Sequence, residues 1–128
     1  MGQGFLIDTN VVIYALENKL PSTGAAFLAK LPPVISDITR IELLGWPNAT
    51  AEQLAPVKAF MAKATMVTIT EAVILKTIEI KQSQKIKLGD AIIAATAMVR
   101  GFTIVTRNSD DFKNIPGLEV VDPFATSL

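Results

Sequence analysis

Acidic residues fall at informative places in this chain. Asp8 closes the apolar run Phe5-Leu-Ile-Asp8, and Glu42 lies among Ile38, Ile41, Leu43 and Leu44. Asp90 follows Leu88-Gly89 and precedes a small apolar stretch, while Asp110 and Asp111 come just after Ile104-Val-Thr-Arg-Asn108. Histidine and cysteine are both absent. That removes thiol nucleophiles, Ser-His-Asp triads, histidine bases and the usual zinc sites together. Three or four carboxylates gathered without nitrogen or sulfur donors select a hard, oxygen-seeking cation such as Mg²⁺ or Mn²⁺. Such a cation points to phosphate chemistry. The glycine-rich fingerprints of dinucleotide and P-loop nucleotide sites occur nowhere in the chain, so those chemistries have no support.

Each acid also has a structural reading. Asp8 could serve only as a helix N-cap, and Asp90 suits the positive end of a helix dipole. Glu42 could lie on a solvated face, or be partly buried and need a partner. Asp110 and Asp111 could be ordinary turn acids. Convergence depends on the elements that carry them.

Short β-branched or apolar runs at 4–8, 34–35, 65–69, 102–106 and 118–121 read as strands. Between them lie helical patterns: Val11 to Glu17, Ala25 to Leu31, and a helix capped by Ser36 or Asp37 with Ile38, Ile41 and Leu44 on one side. A fourth starts at the capping box Thr50-Ala-Glu-Gln53, with Leu54, Val57, Met61 and Ala64 on one face. Pro56 predicts a kink or restart within it. Thr70 to Ser83 follows, with Val73, Ile74, Thr77, Ile78 and Lys81 along one side. A last long helix opens at Asp90 and runs to Arg100, with Gly101 as its left-handed cap. Alternating strands and helices imply a parallel sheet covered on both faces. Ligands of such sheets sit beyond the carboxyl ends of the strands. Asp8, Thr106, Arg107 and Asn108 are placed there, and the helix feeding the fourth strand returns Asp90 to the same edge.

The 128 residues suit a single α/β domain spanning 1–128. Half are hydrophobic and 19% are charged, enough to bury a core and too apolar for disorder. Twelve basic residues balance twelve acidic ones, so nucleic-acid binding would have to rest on a local patch. Mean hydropathy is +0.41, yet the longest uncharged apolar run, Ala91 to Val99, is far short of the roughly 20 residues of a membrane span. The opening residues carry no basic stretch of a secretion signal. A cytoplasmic protein without membrane contact is expected.

Phe5-Leu-Ile-Asp-Thr-Asn10, Ile38-Thr-Arg-Ile-Glu42, Leu88-Gly-Asp-Ala-Ile-Ile-Ala-Ala-Thr-Ala97 and Ile104-Val-Thr-Arg-Asn108 resemble, in order, the four blocks of PIN-domain nucleases. The branch they are most similar to is the VapC-type toxins of prokaryotic toxin–antitoxin pairs. The resemblance extends over nearly the whole chain, including Pro116-Gly-Leu-Glu-Val-Val-Asp-Pro123. It implies a single three-layer α/β/α domain with a short parallel central sheet. It also implies Mg²⁺- or Mn²⁺-dependent cleavage of single-stranded RNA and a VapB-like antitoxin as partner. Carried over by position, Asp8, Glu42 and Asp90 match the first three acids, with Asp8 and Asp90 as metal ligands. Asn108 stands where the family has its fourth acid, which leaves open whether Asp110 or Asp111 supplies that carboxylate. Thr9 and Thr106 match hydroxyl positions beside the acids.

For substrate grip, Arg107 stands beside the site. Lys85 and Lys87 belong to a basic cluster with Lys76 and Lys81 that could meet phosphates. With aromatic residues only 6% of the chain, few base-stacking platforms are available. Asn108 keeps a second reading open, a PIN-like module that holds RNA or metal without cutting. A phosphoryl-acceptor role for Asp8 is disfavoured because the second acid such enzymes place two residues on is Asn10. The apolar surplus predicts a homodimer, with Trp46, Leu54, Val57, Met61 and the outer side of Thr70 to Ile80 as candidate contacts.

Overall fold

The computed structural model describes residues 4–125. The first three residues of the opening segment, read above against a secretion signal, lie outside them. In chain order the elements are β1 (Gly4–Ile7), α1 (Thr9–Leu16), α2 (Ser22–Ala29), β2 (Val34–Ser36), α3 (Asp37–Leu44), α4 (Ala51–Lys63), β3 (Thr65–Val67), α5 (Glu71–Ser83), α6 (Leu88–Arg100), β4 (Phe102–Val105), α7 (Ser109–Phe112) and β5 (Val120–Val121). None of the described helices is long and apolar enough to cross a membrane.

All strand pairs among the described residues are parallel. β4 lies between β1 and β5, and β2 pairs with β3 in a second short ladder beside β1. Alternate side chains of each strand enter opposite halves of the core. Leu6, Val34, Val67 and Ile104 join the half covered by α5, α6 and α7. Ile7, Ile35, Met66 and Val105 join the half covered by α1, α3 and α4. The result is the three-layer α/β/α sandwich expected from the sequence. The alanines of α6 explain its closeness to the sheet: Ala91, Ala94, Ala95 and Ala97 are fully buried.

Several local readings are corrected. Helix α4 runs unbroken through Pro56. Pro56 sits on the exposed side, so the Glu52 carbonyl that loses its amide partner can turn to water. The capping box is present as expected, with Thr50 and Gln53 bonding reciprocally. Helix α6 begins at Leu88, two residues before Asp90, and Gly101 closes it at φ 72°. Ser36 rather than Asp37 caps α3, accepting from the Ile38 amide. On α5 the buried residues are Val73, Thr77 and Ile80, whereas Ile74 and Ile78 face outward. The sequence is apolar on both sides of the Val73–Thr77 row, and only one side meets α6. On α3 the buried positions are Thr39 and Leu43, not Ile41 and Leu44. Thr39 is polar yet tolerated inside because its hydroxyl has a partner in Thr9.

Candidate active site

Parallel pairing of β1 with β4 sets Ile7 opposite Val105, so the next residues, Asp8 and Thr106, meet at the carboxyl edge of the sheet. The Asp8 amide donates to the Val105 carbonyl at 2.9 Å, and the Thr106 amide to the Val121 carbonyl at 2.9 Å. The backbone is therefore fixed on both sides before any side chain is considered. Asp8 is 3% exposed and forms the N-cap of α1. Its Oδ1 accepts from the Thr9 amide at 2.8 Å. Its Oδ2 accepts from the Thr106 hydroxyl at 2.8 Å and the Asn10 amide at 3.1 Å. Since the Thr106 hydroxyl itself accepts from the Asn108 amide at 3.0 Å, its proton is committed to Asp8.

Glu42 is exposed, on α3, and its carboxylate reaches the Thr9 hydroxyl. Thr9 and Thr39 hydroxyls lie 2.9 Å apart. A hydroxyl has one proton and an ionised carboxylate only accepts. Thr9 therefore donates to Glu42 and receives from Thr39. The carboxylate also lies against Gly89, where a Cβ would stand 3.1 Å from Glu42 Oε2. These contacts bring Glu42 from α3 to the first turn of α6, where Asp90 is half-buried.

Electrostatics show that the acids are neighbours. Burial pushes the Asp8 carboxyl above its ordinary value; the hydrogen bonds from Thr106, Thr9 and Asn10 pull it down, and the charge of Glu42 raises it further. Burial likewise raises Asp90, with Asp8, Asp111 and Glu42 adding to the rise and Lys87 opposing it. Asp8, Asp111 and Glu42 are thus near enough to act on Asp90, with Lys87 as the cation opposing them. Asp110 pairs with Lys113 at 3.5 Å. Asn108 is exposed and is tied to the site through its backbone amide.

A divalent cation is the group this donor set suits. The acids offer hard oxygens, and Lys87 is the one cation that opposes the rise of Asp90. Among the described residues, no three of them already close on one point as a ready-made cage. Asp8, fixed by three donors, and Asp90, in the first turn of α6, are acids that could hold such an ion. Beside them, Lys81, Lys85 and Lys87 line a cleft with Asp90, Asp110 and Asp111. The expected basic cluster is thereby divided, because Lys76 instead pairs with Glu79 at 2.9 Å. Lys81 donates to the Ile86 carbonyl at 2.6 Å.

Sequence reasoning missed three contributors. Asn10 bridges Asp8 and the Arg107 amide, which donates to its Oδ1 at 3.1 Å. Thr39 orients Thr9, and Gly89 makes room for Glu42. The spacing of Asn10, two residues after Asp8 in a first helical turn, was the available signal for one of them.

The PIN domain family model matches residues 5–118. The tRNA(fMet)-specific endonuclease VapC of Shigella flexneri is 28% identical over 127 residues, covering 92% of this chain and 96% of the relative. Ribonuclease VapC1 of Rickettsia felis is 32% identical over 133 residues, covering 92% and 95%. Among solved structures, a chain of DNA-bound VapBC from Salmonella typhimurium superposes with a TM-score of 0.82 at 27% identity, covering 96% of this chain and 99% of that one. A chain of a toxin-antitoxin complex from Klebsiella pneumoniae gives 0.73 at 32% identity, with 92% and 96% covered. The chain belongs to the PIN-domain family, with the VapC ribonucleases as its relatives.

Proposed function

We propose that the protein is a divalent-metal-dependent endoribonuclease that cuts single-stranded RNA in the cytoplasm and is the toxin of a toxin–antitoxin pair. The observation that carries this reading is the buried Asp8, held by three donors at the sheet edge and surrounded by acids that raise its affinity for a positive charge. Mg²⁺ or Mn²⁺ held by Asp8 and Asp90 would supply the charge that draws in a phosphate oxygen and makes a water acidic enough to attack phosphorus. Thr106 and Asn10 bond the charged form of Asp8, opposing the effect of its burial, and hold it in one rotamer. Glu42, oriented by Thr9, stands ready to take a proton from the attacking water. Asp111, not Asp110, takes the place of the fourth acid, because it is the one that acts on Asp90. Lys85 and Lys87 hold the strand in the adjoining cleft.

The names of the relatives and the solved toxin–antitoxin complexes support the second half of the reading. An apolar groove lined by Ile13, Leu16, Leu43, Trp46 and Val57 has Glu42 on its rim. An antitoxin segment lying there would bury the exposed Ile13 and Trp46 and block the acids in one act.

Cleavage of end-labelled single-stranded RNA is the test. The expected result is cutting with Mg²⁺ or Mn²⁺, none with EDTA, and none by Asp8→Asn. RNA bound but left intact under all metal conditions would favour the non-cutting module that Asn108 kept open.

A further inference from the structure

Arg107 is charged and exposed, its amide is bonded into the acidic site through Asn10, and yet its guanidinium pairs with none of the described carboxylates. It lies instead 3.6 Å above the Phe124 ring centroid, with Tyr14 at 5.7 Å. Tyr14 and Phe124 meet edge to face at 5.0 Å and 71°. At 3.6 Å from ring centre to guanidinium carbon, the cation sits on the ring's face, where cation–π attraction holds it. Its in-plane N–H edges are left for another partner.

The shelf beneath it is firmly built. The Phe124 amide donates to Asp122 Oδ1 at 2.8 Å, and the Ala125 amide to the Asp122 carbonyl at 3.0 Å. Pro123 is buried against α2, so tightly that a Cβ on Gly24 would stand 2.1 Å from the Pro123 carbonyl oxygen. At its other end Arg107 is anchored to the site itself. Its amide bonds Asn10, which bonds Asp8, and its neighbour Thr106 bonds the same Asp8 oxygen.

We propose that Arg107, splinted by Phe124 and Tyr14, is the phosphate clamp that positions the RNA strand against Asp8. The inference rests on the ribonuclease reading above. A guanidinium presents its donors in a planar fork that matches two phosphate oxygens. Stacking that plane on a fixed ring removes most of the freedom the side chain would otherwise lose on binding. The aromatic shelf also keeps the cation from collapsing onto the acids, where it would neutralise the charge needed for metal. Phosphate rather than base is the group gripped, because the fork is the unoccupied part of the side chain and one face is already covered by Phe124.

Salt dependence separates the possibilities. Binding of a fluorescein-labelled pool of short random-sequence RNA is measured between about 50 and 200 mM salt, a range over which phosphate contacts lose affinity steeply. The protein is Asp8→Asn, which does not cut, with and without Arg107→Gln, Arg107→Lys or Phe124→Leu. Arg107→Gln should weaken binding severalfold at low salt and make the slope of log affinity against log salt shallower by about 0.7, the loss of one phosphate contact on a single strand. Arg107→Lys should keep the slope but bind more weakly, and Phe124→Leu should do the same with Arg107 intact. Phe124→Tyr, which keeps the ring, should restore binding. In the cutting protein Arg107→Lys should raise KM more than it lowers kcat. Unchanged affinity and slope in Arg107→Gln would overturn the inference while leaving the ribonuclease reading intact, as would weaker binding with an unchanged slope. Absence of RNA binding and cutting in the wild type would overturn both.

Discussion

Glu42 Oε2 occupies the space a side chain at position 89 would need: a Cβ there would lie 3.1 Å from it. Gly89 is therefore part of how α3 and α6 bring Glu42 and Asp90 to the same edge. The contact is with a side chain's end, so a methyl group could be accommodated by moving the carboxylate. Thr9 opposes that movement by donating to the same group.

Gly89→Ala should accordingly fold normally and cut poorly. Alanine favours the helix that residue 89 already belongs to, so the melting temperature should hold or rise. The carboxylate would have to give by a few tenths of an ångström, where a misplacement of about 1 Å can cost about a hundredfold in rate. A severalfold fall in kcat with an unchanged melting curve is expected. Full activity would show that Glu42 does not need this position.

Glu42→Gln asks whether the charge itself acts. Glutamine keeps the shape and can still accept from Thr9, but cannot take a proton from water. Loss of a positioned base commonly costs about a hundredfold or more. Stability should change little, since the residue is exposed and repels Asp8. A variant that melts early but cuts at the wild-type rate would make Glu42 a structural acid.

Burial and neighbouring acids raise both Asp8 and Asp90 above the ordinary value of 3.8. Between that value and the raised ones the folded chain binds more protons than the unfolded chain, so stability falls as pH rises through the window. Without metal, the wild type should lose melting temperature relative to Asp8→Asn as pH is raised from about 4 toward neutrality. Mn²⁺ at neutral pH should recover that loss in the wild type and much less of it in Asp8→Asn or Asp90→Asn. A constant difference between wild type and Asp8→Asn across the range, with equal Mn²⁺ binding by calorimetry, would remove Asp8 from the metal site.

Much of this arrangement was legible in the sequence, because the acids sit where local signals are strong. Asp8 and Thr106 end apolar strands, and Asp90 lies just inside the start of a helix whose alanines mark it as buried. What the chain could not show was strand order, and with it the meeting of Asp8 and Thr106 across the β1–β4 register. Nor could it show which side of a doubly apolar helix faces inward. Ile74 and Ile78 on α5 are as hydrophobic as the buried Val73 and Ile80. The polar auxiliaries Asn10 and Thr39 escaped for a related reason: their roles lie in partners 97 residues away at Arg107 and 30 residues away at Thr9.

The outward face of α5 bears on assembly. Val57 and Met61, expected above as contacts between copies, are buried at 6% and 8% exposure, because their row on α4 closes the second half of the core. The outer side of α5, also expected above, is apolar and open: Ile74, Leu75 and Ile78 form an exposed stripe there. Glu71 stands in the first turn of that helix and Lys81 in its last. A two-fold axis through the middle of the stripe would set each Glu71 toward Lys81 of the other copy while burying the three apolar residues. Closed two-fold pairing is the commonest way such a face is covered. The groove beside Glu42 belongs to the other helical layer, so a second copy and an antitoxin need not compete. Light scattering at micromolar concentration should give about twice the 13.7 kDa chain mass. Leu75→Glu should shift the protein to monomer without unfolding it, since the residue is 58% exposed. Trp46→Ser, in the groove, should leave the dimer intact. A monodisperse wild-type monomer across that range would refute the pairing and leave the stripe to another partner.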